Sequence, residues 1–146
     1  MIANNNRMKK TALITGASKG IGFAIAQALS PQVEELFIVA RNKERLEKAA
    51  SQLSGARIIS LVADLEKDED LSKLIKEVKE HTGSLDILVN NAGAYTYGPF
   101  EKNTPEVINR ILNLNLRAVI LLSNQLLPLL KKGTHPQVVN ISSASA

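Results

Sequence analysis

Short apolar runs alternate with segments whose apolar residues recur every three to four positions, from Thr11 to the end of the chain. The runs predict five strands, at Ala12–Thr15, Leu36–Ala40, Arg57–Val62, Leu85–Val89 and Gln137–Ile141. Each run is short and apolar on both faces, which is typical of a parallel strand covered by helices on both sides.

Four helices are predicted between the strands, at Gly20–Ser30, Asn42–Leu53, Asp68–His81 and Thr104 to about Lys132. Pro31 ends the first, and the acidic cluster from Glu66 to Asp70 marks the start of the third, where carboxylates favour the helix dipole. This alternation predicts an α/β fold with a doubly wound parallel sheet. We expect the sheet to be incomplete, because the apolar last strand would otherwise be left as an edge.

Composition excludes several classes of protein. The 146 residues fit one domain, with 45% hydrophobic content and no cysteine, so neither disulfides nor thiolate metal sites form. The net charge of +4 owes much to the first ten residues, and without a basic face interleaved with aromatics we expect no nucleic-acid binding. No signal peptide or membrane-length run is present, and His81 and His135 lack partners at metal-ligand spacing. We expect a soluble cytoplasmic protein with a disordered leader over 1–8 and the domain over 9–146.

The segment Thr15-Gly16-Ala17-Ser18-Lys19-Gly20-Ile21-Gly22 follows the first predicted strand and opens the first helix. Glycine permits positive φ and close backbone approach to a ligand, and the free N–H groups of a helix start attract phosphate. The segment therefore predicts a pyrophosphate site. Its spacing differs from G-x-G-x-x-G, so a plain strand-to-helix turn is the alternative.

Polar residues also follow three later strands: Asp64, Asn90-Asn91-Ala92-Gly93 and Ser142-Ser143. Ligands of open α/β sheets bind at such strand ends. Taken singly, Asp64 fits a helix N-cap, the two asparagines fit an Asx turn, and the serines fit a loop or N-cap.

Together with Asn115, these motifs resemble the short-chain dehydrogenase/reductase family, and the resemblance covers about Met8 to Ala146. It implies a Rossmann-like fold and hydride transfer between a nicotinamide cofactor and a small carbonyl or alcohol substrate. It assigns cofactor binding to Gly16, Ser18, Lys19, Gly20, Ile21, Gly22, Asp64, Asn91, Ala92 and Gly93, with Asp64 beside the adenine ring.

The choice of cofactor follows from charge. An NAD site places an acid after the second strand, whereas a basic group there accommodates a 2′-phosphate. This chain has Ala40-Arg41-Asn42 at that point and Lys19 in the glycine segment, which predicts NADP(H) rather than NAD. The alternative is that Arg41 and Lys19 are ordinary surface charges.

By resemblance, Asn115 belongs to a proton relay and Ser143 hydrogen-bonds the substrate oxygen, with Asn113 as an alternative to Asn115. The family's Tyr-x-x-x-Lys pair is absent, since Tyr95 and Tyr97 precede the serine and stand four residues before Pro99 and Glu101. Those tyrosines line the cleft rim or simply pack.

We therefore expect the amino-terminal part of an oxidoreductase, inactive as written. The alternative is a non-catalytic half-domain that binds nucleotide or a partner. We also expect self-association, because an apolar edge is costly alone.

Overall fold

The computed structural model describes residues 10–143, so the predicted leader over 1–8 lies outside the described residues. The strands are β1 (Thr11–Thr15), β2 (Glu35–Ala40), β3 (Arg57–Val62), β4 (Ile87–Asn90) and β5 (Gln137–Asn140). They form one parallel sheet in the order β3-β2-β1-β4-β5. The predicted parallel sheet is confirmed, and its strand order reverses between β1 and β4, where ligands bind in open α/β sheets.

The helices are α1 (Gly20–Leu29), α2 (Lys43–Ala50), α3 (Asp68–His81), α4 (Pro105–Leu112) and α5 (Ala118–Leu130). α1 ends at Leu29, next to the predicted end at Ser30, and Ser30–Gln32 then forms a 3₁₀ turn with Pro31 as its second residue. Another 3₁₀ turn spans Phe100–Lys102. Thr104 occupies the N-cap position of α4, and its hydrogen bond to exposed Glu106 lowers the pKa of that carboxyl.

The helix predicted from Thr104 to about Lys132 is continuous from Pro105 to Leu130, but it contains a π-helical turn over Asn113–Arg117, which the sequence pattern did not indicate and which divides it into α4 and α5. Side chains of this turn are held from outside it. Arg117 forms a two-pronged ion pair with Asp68 in the first turn of α3, and Asn115 bonds the backbone of Ala94. Single π turns inside helices recur at functional sites, so this turn indicates that the residues around it are candidates for a functional role.

The core has two halves, one on each face of the sheet. Leu13, Phe37 and Leu88 point toward α3 and α5, whereas Ala12, Ile14 and Ile38 point toward α1 and α2. Neighbouring residues on a strand face opposite sides, so an all-apolar strand requires helices on both. The expected coverage of both faces is confirmed.

Asp86 fastens the amino-terminal edge of the sheet, a role that sequence reasoning missed. Its side chain is only 2% exposed. Oδ2 accepts a hydrogen bond from the backbone N–H of Thr11 at 2.8 Å, and Oδ1 accepts one from that of Thr134 at 2.9 Å. One carboxylate thus joins the start of β1 to the loop that leads into β5.

Among the described residues, exposed apolar side chains form two groups, besides scattered positions such as Ile21, Val62 and Phe100. Val138 and Val139 of the edge strand β5, with Ile141, are 38% to 45% exposed. A second set runs along one side of α4, the π turn and α5: Ile108, Leu112, Leu116, Ile120 and Leu127. We call this second set the helical stripe. Among residues 10–143 no helix is both long enough and apolar enough to cross a lipid bilayer.

Candidate functional site

A cleft of about 500 Å³ opens at the carboxyl ends of β1 to β4, where the strand order reverses. It collects nine of the eleven predicted cofactor-binding residues: Gly16, Ser18, Lys19, Gly20, Arg41, Asp64, Asn91, Ala92 and Gly93. Ile21 is exposed and Gly22 is buried behind Gly16, and neither lines the cleft. Four chain segments that are distant in sequence therefore meet around one space.

The glycine loop has a backbone that other residues adopt with difficulty. Gly16 and Gly20 have φ of +68° and +58°. A Cβ on Gly16 would lie 2.8 Å from Asn91 Nδ2 and 2.9 Å from Ala92 Cα, whereas one on Gly20 would meet no described atom within 4 Å. Gly16 is thus required for conformation and packing, and Gly20 leaves open space at the helix start.

Thr15 and Asn91 tie this loop to the segment after β4. Asn91 Nδ2 donates to the carbonyls of Thr15 and Gly16 at 3.0 and 3.2 Å. In return, Thr15 Oγ1 accepts from the N–H groups of Asn91 and Ala92, both at 3.0 Å. Asn91 therefore positions the glycine loop rather than closing an Asx turn, and Thr15 is a supporting residue that sequence reasoning did not single out.

Asn90 makes its hydrogen bonds to β5 and α5 and not to the glycine loop. Its Nδ2 donates to Asn140 Oδ1 at 2.8 Å and to Ser123 Oγ at 3.3 Å. The Asx-turn interpretation is wrong here too, since these bonds link β4 to β5 and α5. This pairing fixes the carboxyl end of β5, from which Ser143 follows.

The start of α1 faces the cleft with its first N–H groups uncapped by a side chain. Lys19 stands at the N-cap position, and a lysine side chain has no acceptor atom. The first turn also contains no acid. A helix start of this kind favours an anionic ligand, because unpaired N–H groups and the helix dipole both attract negative charge.

Three cations line the cleft: Lys19, Arg41 and Arg45. Sequence reasoning missed Arg45. Asn42 caps α2 by accepting from the Arg45 backbone N–H at 2.8 Å, which brings the first turn of α2 to the cleft. The capping pattern could have indicated Arg45, since the predicted second helix starts at Asn42 and places Arg45 in its first turn.

Asp64 lines the cleft and is not a helix cap, because Lys67 holds the N-cap position of α3. Asp64 Oδ1 accepts from the N–H of Glu66 at 3.2 Å, and its own N–H donates to Asp70 Oδ2 at 2.9 Å. The N-cap interpretation was therefore wrong, and the Asx turn holds the carboxyl group at the cleft wall.

Asn115 lies next to the cleft, where Leu114 forms part of the wall. Its amide makes a matched pair of bonds with one residue: Oδ1 accepts from Ala94 N at 2.8 Å, and Nδ2 donates to Ala94 O at 2.7 Å. The side chain thus fixes the segment after β4. Ser143 leaves the sheet beside that segment, because Asn140 pairs with Asn90, and it is exposed.

Tyr95 and Tyr97 continue the segment that Asn115 fixes, and both are exposed. Their rings meet edge to face at 4.7 Å between centroids, and their hydroxyls are 2.6 Å apart. The hydrogen bond with Tyr95 raises the pKa of Tyr97 above that of an ordinary phenol. Tyr97 therefore stays protonated near neutral pH, which is unfavourable for a catalytic base.

Comparison with known proteins agrees with this geometry. The sequence model of the short chain dehydrogenase family matches residues 10–146. An uncharacterised oxidoreductase of Staphylococcus epidermidis is 33% identical over 138 residues, covering 94% of this chain and 59% of the relative. A ketoacyl reductase of Nostoc is 34% identical over 136 residues, covering 92% of this chain and 47% of the relative. The chain thus spans about half the length of these relatives.

Solved structures give the same result. A short-chain dehydrogenase from Sphingobium yanoikuyae in complex with NADPH aligns with a TM-score of 0.84 and 36% identity, covering 92% of this chain and 54% of that one. An alcohol dehydrogenase from Comamonas testosteroni, specific for bulky-bulky ketones, aligns with a TM-score of 0.84 and 34% identity, covering 92% and 55%.

Proposed function

The chain belongs to the short chain dehydrogenase family, and we propose that it is the nucleotide-binding part of an NADP(H)-dependent oxidoreductase that interconverts carbonyl and alcohol groups by hydride transfer. The observation that carries this proposal is the cleft, in which a glycine loop, an uncapped helix start and three cations converge. That combination fits a phosphorylated dinucleotide.

The residues present fit such a cofactor. Gly16 and Gly20 keep the loop close to the start of α1, and the space beside Gly20 is open to a phosphate. Asp64 is available at the wall where the resemblance expects the adenine ring. Lys19, Arg41 and Arg45 provide positive charge, and no acid stands at the end of β2, where an NAD site has one.

Catalytic roles are proposed for two residues outside the cleft lining. When bound, the nicotinamide group donates or accepts the hydride. Ser143 would hydrogen-bond the substrate oxygen, and Asn115 would serve the proton relay while its amide fixes Ala94. The 146 residues contain no tyrosine followed four places later by lysine. We therefore expect no turnover from them alone.

Replacing Arg41 with Gln should weaken NADPH binding about tenfold and NADH binding less than about twofold, because a guanidinium donates charge-assisted bonds to a phosphate. The change in nicotinamide fluorescence on titration measures both affinities. Arg57→Gln is the matched control, since both arginine side chains are 68% exposed and ion-paired. Arg57 is the first residue of β3, so it lies at the end of the sheet away from the cleft. Equal losses for the two nucleotides would contradict the NADP(H) assignment, and no binding at all would contradict the function.

We further propose that two copies of the chain associate through the helical stripe. Its first four members stand four residues apart, and it extends for roughly 28 Å at 1.5 Å per residue. A contiguous exposed apolar patch of this kind marks an interaction surface.

Leu116, at the centre of the stripe, is 55% exposed, so Leu116→Glu should leave the fold intact and disrupt the association. Light scattering after size exclusion should give twice 15.8 kDa for the unmodified protein and 15.8 kDa for this variant. Val62→Glu introduces the same charge at another exposed apolar position and should remain a dimer. A monomeric parent protein would rule out the proposal.

A further inference from the structure

Glu66 and Asp64 are the two acids among the described residues that line the cleft, beside three cations. Glu66 lies in the loop between β3 and α3 and lines the cleft together with Arg41. Its side chain is only 18% exposed, and its Oε1 is shielded from solvent yet accepts no hydrogen bond from any of residues 10–143. Burying an ionised oxygen without a hydrogen bond is costly, so the charges around it must compensate.

Two guanidinium groups provide that compensation. Arg41 Nη1 lies 3.6 Å from Glu66 Oε1, and Arg110 Nε of α4 lies 3.7 Å from the same oxygen. Neither distance is short enough for a hydrogen bond. The interaction is therefore an ion pair without a hydrogen bond, and the Arg41 side chain stays 68% exposed.

This arrangement sets up a competition at Arg41. A 2′-phosphate on the adenosine ribose and the Glu66 carboxylate would both use the positive charge of Arg41. A like-charged carboxylate near the phosphate also opposes its binding. A nucleotide that lacks this phosphate does not meet either penalty.

We propose that Glu66 is a specificity-determining residue that lowers the preference of this cleft for 2′-phosphorylated nucleotides by neutralising Arg41. The inference rests on the proposed function, since it requires that the cleft bind a dinucleotide. It predicts that the preference for NADP(H) over NAD(H) is weaker than it would be if the three lining cations acted without Glu66.

The test compares adenosine 2′,5′-bisphosphate with adenosine 5′-monophosphate, which differ in the phosphate concerned. Calorimetric titration at low salt should show that Glu66→Gln binds the bisphosphate about fivefold more tightly, and the monophosphate less than about twofold differently. The gain should shrink at high salt, because exposed charges are then screened.

Two further variants separate charge competition from a general effect. Glu80→Gln removes the same charge from an exposed pair with Lys76 at 3.8 Å near the far end of α3, and it should leave both affinities unchanged. Arg110→Gln removes one of the two cations that pair with Glu66, so Glu66 then neutralises Arg41 more fully. Bisphosphate binding should therefore weaken. That loss should become small when Glu66 is already Gln.

The outcomes are distinct. An unchanged ratio of the two affinities in Glu66→Gln overturns the inference while the proposed function stands. A selective loss of bisphosphate binding also overturns it, since Glu66 would then position Arg41. Failure of every variant and of the parent protein to bind either nucleotide overturns the proposed function and the inference with it.

Discussion

Gly16→Ala is expected to lower the free energy of unfolding by about 3 kcal/mol and to abolish nucleotide binding. A residue other than glycine at φ +68° costs about 1–2 kcal/mol. The added Cβ would also lie 2.8 Å from Asn91 Nδ2 and 2.9 Å from Ala92 Cα, and overpacking of this kind costs about 1–3 kcal/mol. Because Asn91 holds the loop through two hydrogen bonds, its displacement moves the whole glycine loop.

Gly20→Ala is the matched control, since it shares the positive φ but gains its Cβ in space that is open among the described residues. It should lose only about 1–2 kcal/mol. Its new methyl group would stand beside the proposed phosphate site, so binding should weaken although the protein stays folded. Urea denaturation measures the stabilities, and NADPH titration measures the binding. Equal destabilisation by the two substitutions would show that contact with Asn91 and Ala92 is unimportant.

Asp86→Ala is expected to destabilise the fold by about 4 kcal/mol, which is a large fraction of the roughly 5–15 kcal/mol by which native proteins are stable. The substitution leaves the buried backbone N–H of Thr11 without an acceptor, at about 1–3 kcal/mol, and it removes the acceptor of the Thr134 N–H at a smaller cost, because Thr134 is exposed. It also creates a cavity where a side chain is only 2% exposed. The effect should appear as a lower urea midpoint, or as failure to fold.

Asp68→Ala provides the comparison for an exposed carboxylate. Asp68 is paired with Arg117 on the surface, where ion pairs contribute about 0–1 kcal/mol. Asp86→Asn keeps one carbonyl acceptor and should fall between the two alanine variants. A cost for Asp86→Ala no greater than that for Asp68→Ala would refute the role assigned to the buried carboxylate.

The strands, the coverage of both sheet faces and most of the cleft could be predicted because their signals are local. A strand such as Leu36–Ala40 is apolar at every position, which by itself requires two covering layers. The conformation of the glycine loop follows from its residue types, since Gly16 and Gly20 both adopt the positive φ that glycine permits. Parallel pairing then brings the strand ends to one edge without further information.

Other features could not be predicted because they depend on partners remote in sequence. Asp86 resembles any acid before an apolar run, and its role arises from Thr11 and Thr134, 75 and 48 residues away. The π turn lies inside the helix that the apolar pattern predicts, and its side chains are bonded to Ala94 and Asp68. Hydrophobic periodicity indicates which face of a helix is buried, but it does not indicate which remote residues form hydrogen bonds or ion pairs with that helix.

The sequence by itself determined the fold class, the glycine loop and the positive charge near it, since these follow from residue type and neighbouring residues. Only the tertiary structure decided how that charge is distributed. Glu66 looks like one of several acids before α3, yet the fold encloses its Oε1 between Arg41 and Arg110. The physical reason is that electrostatic interaction depends on distance in space and on burial, and the packing of β3, α3 and α4 sets both.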